Sequence, residues 1–70
     1  METKTGTIFT MKKDKGYGFI KPDDQNKANI FFHASKVLCP KFEELGLNER
    51  VEYLEVETPK GLQAVDIAVC

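Results

Sequence analysis

Tryptophan is absent from this chain of 70 residues, there is one histidine, and the only cysteines are Cys39 and Cys70. Two cysteines are too few for a disulfide scaffold, so reduced thiols are the simpler reading. His33 has no CxxC or HxxxH spacing around it, and a zinc site would require both cysteines and a fourth ligand. A nucleophilic Cys39 would need His33 as base and a further orienting group, for which nothing is spaced. The acidic neighbours Asp23-Asp24 and Glu43-Glu44 read as solvated loop charge, since adjacent residues seldom converge on one reacting centre. No phosphate-binding loop, internal repeat or low-complexity tract is present. These absences argue against an enzyme and against a metal or other cofactor. No apolar run approaches the roughly 18 residues that span a bilayer, and METKTG lacks the apolar core of a signal peptide. A cytoplasmic protein with no membrane partner is expected.

What is present has an uneven distribution. The net charge of −1 divides into +3 over residues 1–36 and −4 over residues 37–70. Five of the seven aromatics, Phe9, Tyr17, Phe19, Phe31 and Phe32, lie in the positive half. Aromatic rings and lysines in one segment are what a platform for single-stranded nucleic acid requires. In so short a chain the excess is small, and chance produces it as well.

Turn chemistry cuts the chain into short β-rich runs. Thr5–Lys12 is followed by Asp14-Lys15-Gly16, where Gly16 can take a positive φ. Tyr17–Lys21 stops at Pro22 and a polar loop, and Ala28–His33 is the third run. A long connection, 34–49, contains Pro40 and one helical turn in KFEEL. Arg50–Glu57 and Leu62–Val69 flank the turn Thr58-Pro59-Lys60-Gly61. Five strands in one domain of this size favour a closed antiparallel barrel, because closure removes exposed edges and lets one core serve every strand. A monomer is expected, and the long loop leaves a domain-swapped dimer open.

Within KGYGFI, Tyr17 and Phe19 share one strand face while Gly18 and Ile20 share the other. If the second and third strands pair antiparallel, Phe31 and His33 join the first set, and Ile30 and Phe32 the second. The second set suits a tight barrel interior, and the first would be an exposed aromatic patch. Parity alone leaves open which face is inside.

KGYGFI followed by NIFFHAS resembles the paired RNP-type motifs of the cold-shock domain family, and the resemblance runs from Gly6-Thr7-Ile8 through Phe42–Leu45 and Val51–Tyr53 to Lys60–Val65. It implies an all-β, five-stranded OB-type barrel that binds single-stranded RNA or DNA. Such proteins act as RNA chaperones or as regulators of transcription or translation. Carried over residue by residue, Tyr17, Phe19, Phe31 and His33 fall on base-stacking positions, Phe42 on a base-touching loop aromatic, and Lys15 and Lys60 on basic positions near the backbone path. Phe42 serves equally well as a loop hydrophobe covering the barrel end. Tyr53 and Phe32 read as core.

Several positions depart from the family pattern. Lysine, tryptophan and phenylalanine are usual where this chain has Phe9, Thr10 and Met11. A stacking ring is therefore missing at Thr10, and affinity is expected to fall by about 1–3 kcal/mol. Phe9 is a partial substitute, and Lys12 and Lys13 are either phosphate contacts or ordinary turn lysines. Ala34 follows the histidine, where another aromatic is frequent. Asn48 replaces a glycine and can adopt the same left-handed backbone. Leu54-Glu55 inverts a polar-then-aliphatic pair, which points to a displaced Glu55 or a bulged strand. These departures motivate the rival reading, a barrel that has become a protein-interaction module with little affinity for nucleic acid.

Overall fold

The computed structural model describes residues 3–39 and 41–69. Each β-rich run of the sequence forms a strand: β1 (Lys4–Lys12), β2 (Tyr17–Pro22), β3 (Ile30–His33), β5 (Arg50–Thr58) and β6 (Gly61–Val69), with a short β4 (Val37–Cys39) between β3 and β5. The expected helical turn is a 3-10 turn at Phe42–Glu44, and a second one, Ala34–Lys36, follows β3. Among the described residues no helix is long and apolar enough to cross a membrane.

The strands are ordered β3-β2-β1-β5-β6-β4, and an additional β3–β6 pairing closes the first five into a barrel. β1–β2, β2–β3, β1–β5 and β5–β6 are antiparallel. The closing pairing of β3 with β6 is parallel, as is that of β4 with β6. The barrel is therefore five-stranded and closed, as expected of an OB fold, but its strand directions are mixed where the sequence reading had all of them antiparallel.

One parity of each strand builds the core. Ile8, Ile20, Ile30, Phe32, Val51, Tyr53, Ala64 and Ile67 alternate with exposed or half-buried neighbours and are at most 3% exposed. Phe42 and Leu45, from the long connection, close the cluster from one side. Gly18 is required by this packing. A Cβ there would lie 2.5 Å from the Thr10 carbonyl oxygen and 2.8 Å from the Phe32 ring. Gly16 meets a different demand, a φ of +77° in the turn that joins β1 to β2. Asn48 does adopt the left-handed backbone, at φ +69°, and its N–H donates to the Ile8 carbonyl at 2.9 Å.

Two irregularities bend the sheet. Ile8 pairs with Ile20 and Thr10 with Phe19, so Phe9 is an extra residue on β1. Glu52 pairs with Ala68 and Leu54 with Val65, which places the second extra residue on β6, where Asp66 has φ +54°. The bulge expected in β5 thus belongs to its partner strand. Glu55 itself stays in register opposite the buried Ala64, on the inward parity, with a side chain 12% exposed. Lys27 of the β2–β3 loop reaches it at 3.0 Å, so the inward carboxylate is neutralised at the barrel rim.

Candidate nucleic-acid interface

The outer face of β2 and β3 is set by their register, Tyr17 opposite His33 and Phe19 opposite Phe31. Inward residues Gly18, Ile20, Ile30 and Phe32 are buried, so alternation puts all four rings outside. This resolves the parity question in favour of display. Tyr17, Phe19 and Phe31 are half-buried and His33 is exposed. The three carbocyclic rings lean on one another, with centroids 5.5 Å apart for Tyr17–Phe31, 5.8 Å for Phe19–Phe31 and 6.1 Å for Tyr17–Phe19. Two of these contacts are edge-to-face, at 77° and 88°. That geometry stabilises aromatic pairs and fixes ring orientation while the rings stay at the surface.

His33 is held differently. Its Nδ1 accepts the Ser35 backbone N–H at 3.1 Å and lies 2.9 Å from the Ser35 hydroxyl oxygen. The same contact caps the 3-10 turn Ala34–Lys36, so the chain reversal after β3 also orients the imidazole.

Lysines surround the rings unequally. Lys12 stands opposite Tyr17 at the end of β1, and Lys12 and Lys15 are both exposed. Lys13 donates to the Glu43 carbonyl at 3.1 Å, which ties the β1–β2 turn to the 3-10 turn at Phe42–Glu44. Lys60, in the β5–β6 turn, lines a shallow cavity of about 300 Å3 together with Phe31, Leu62 and Gln63. The closing strand therefore extends the platform with Leu62, 48% exposed, and Gln63, paired with Phe31. The sequence reading missed both, because a pairing between positions so far apart leaves no local periodicity.

Two residues do not join this group. Phe42 is 6% exposed and packs against Phe32 at 6.1 Å, so it is a core ring with little face left for a base. Of the two roles open to Phe42, this position fits the loop hydrophobe that covers the barrel end. Phe9 is 55% exposed at the β1 bulge, beside the cluster and not within it. Thr10 occupies the place opposite Phe19 where a larger ring would extend the stack.

Beyond the platform the charged groups stabilise loops. Arg50 holds Asp23 through two bonds of 2.7 Å, and Thr5 donates to it at 2.6 Å. The Arg50 and Thr5 hydrogen bonds lower the Asp23 pKa from 3.8 to about 2. Burial pushes the Tyr53 phenol up to about 12, with the nearby Glu55, Asp23 and Asp24 charges adding to the effect. Its hydroxyl is the buried side-chain polar atom left without a hydrogen-bond partner among the described residues. Cys39 is a free, exposed thiol, and Cys70 lies outside the described residues. Among the described residues no group of three or more acidic, histidine or cysteine side chains is placed to hold a metal ion.

The model of the 'Cold-shock' DNA-binding domain matches residues 4–70. The chain belongs to the cold-shock domain family. It is 45% identical to the major cold shock protein of Micrococcus luteus over 62 residues, covering 89% of this chain and 91% of that one. A cold shock-like protein of Aquifex aeolicus is 39% identical over 64 residues, covering 91% of this chain and 90% of the relative. Among solved structures, Drosophila Unr CSD456 superposes with a TM-score of 0.82 at 30% identity, covering 99% of this chain and 27% of that longer one. Cold-shock domains bind single-stranded nucleic acid and are not enzymes.

Proposed function

We propose that this cold-shock domain binds unpaired RNA or DNA across the outer face of β1–β3. Bases stack on Tyr17, Phe19, Phe31 and His33, while Lys12, Lys15 and Lys60 meet phosphates. Its cellular role is that of an RNA chaperone or a regulator of transcription or translation, in the cytoplasm and as a monomer. The observation that supports this most directly is the cluster of three mutually braced rings on the exposed side of paired strands. Every base has a π-face, so such a surface accepts many sequences, at about 1–3 kcal/mol per stacked base. Lysine contacts add a term that weakens with salt. A chaperone of this kind needs no nucleotide hydrolysis: binding the open strand stabilises it relative to the hairpin by mass action.

A second reading, a barrel used for protein interaction, draws on the outward Leu54–Val65 pair of β5 and β6 and on Thr10. Fluorescence anisotropy of a labelled pyrimidine-rich oligonucleotide, at low and moderate salt, separates the two. Saturable, salt-weakened binding supports the first reading. No binding up to about millimolar protein would overturn it and leave the second.

A further inference from the structure

The exposed Phe9 is unexplained by the core and stands outside the three-ring cluster. A bulge gives β1 two residues, Phe9 and Thr10, opposite the single Phe19 of β2, and the ring of Phe9 remains 55% exposed. Beside it runs a groove with a volume of about 490 Å3, whose walls include Lys21, Asp23, Gln25 and Asn48. Lys21 and the side-chain amides of Gln25 and Asn48 have no hydrogen bond or ion pair among the described residues. The carboxylate of Asp23, in contrast, is neutralised by Arg50 at 2.7 Å and so presents little repulsion to an anion. The groove therefore combines one flat apolar wall, one uncommitted cation and two uncommitted amides, and its Lys21 shares the outer parity of β2 with Phe19, two positions away.

We infer that this groove is a separate nucleobase subsite, one nucleotide beyond the stacked platform. The base lies on Phe9, its edge meets the Gln25 and Asn48 amides, and Lys21 neutralises the adjoining phosphate. The inference rests on the proposed reading of the platform. Continuity with Phe19 and the single free cation favour a polynucleotide over an apolar peptide as occupant. The amides give this subsite what a bare stacking surface lacks, donors and acceptors that distinguish one base edge from another. The bulge accounts for its position. With Thr10 too small to stack, the ring one residue earlier is turned outward and moves the end of the platform into the groove.

The test is a length series of labelled oligothymidylates titrated with wild type, Phe9→Ala and Phe19→Ala. Phe19→Ala should weaken every length. Phe9→Ala should match wild type on oligomers too short to reach the groove and bind longer ones about tenfold more weakly. Equal binding of wild type and Phe9→Ala at all lengths, with Phe19→Ala impaired, would overturn the subsite and leave the platform intact. No effect of Phe19→Ala, or no binding by wild type, would overturn both. Phe9→Trp supplies a second readout, since the chain has no other tryptophan. Its fluorescence should be quenched by long oligomers and much less by short ones. An unquenched Trp signal at saturation contradicts the inference.

Discussion

Two outward sheet faces of one barrel differ in almost every chemical respect. The β2–β3 face carries Tyr17, Phe19, Phe31 and His33, with Lys12 and Lys15 beside it. The β5–β6 face carries Glu52 opposite Ala68 and Leu54 opposite Val65, with exposed Glu57 and Asp66 nearby. Both faces rest on the same core and the same ladder geometry. The barrel therefore supplies only a scaffold, and the residues at alternate positions decide what a face can hold. Rings with a positive border suit stacked bases, whereas aliphatic side chains with a negative border repel a phosphate chain.

Adjacent residues on β3 break the comparison most sharply. Phe32→Ala removes a fully buried ring from the core and should cost about 3–5 kcal/mol in urea unfolding. Its neighbour Phe31→Ala, on the outer parity, should cost about 1–3 kcal/mol of oligonucleotide affinity by anisotropy. On the β5–β6 face, Leu54→Ala should leave that affinity unchanged. A similar binding loss from both faces would erase the distinction between them.

Smaller effects come from the barrel's polar groups. Tyr53→Phe removes a hydroxyl that is buried without a partner and should stabilise the fold by about 1 kcal/mol, read from the urea midpoint. Asp23, lowered to about 2 by Arg50 and Thr5, favours the folded state while it is ionised. That contribution is complete above about pH 4 and lost as pH falls towards 2, because the unfolded chain takes up the proton first. Asp23→Asn should therefore narrow the stability gap between neutral and acid pH in thermal melts. Smallest of all, Lys15→Ala should reduce the slope of log affinity against log salt by about 0.7, the loss of one phosphate contact on a single strand.

The parts of this molecule legible in the sequence are those governed by local alternation and turn chemistry. Gly16 and Asn48 take the left-handed backbone their residue types allow, and β1, β2, β5 and β6 begin and end within a residue of the turn signals. The identity of the inner face was not legible, because Tyr17-Gly18-Phe19-Ile20 alternates equally well either way. Only the approach of Gly18 to Phe32 and the Thr10 carbonyl decides it. Phe42 sits in a connection without periodicity, so nothing local distinguishes a core ring from a displayed one. Glu55 was read as a fault in its strand, yet its partner Lys27 lies 28 positions away and completes the rim. Parallel closure through β3 and β6, and with it Leu62 and Gln63 beside Phe31, likewise depends on pairings that no window of sequence contains.

The central claim is that bases settle on the ringed face and not on the aliphatic one. Amide chemical-shift mapping of the isotope-labelled protein, titrated with an unlabelled oligothymidylate, tests it most directly. The account predicts that the largest shifts fall on residues 17–19 and 31–33, with residues 52–54 and 65–68 nearly unmoved. Shifts concentrated on Leu54 and Val65, or no shifts at saturating oligonucleotide, would contradict it.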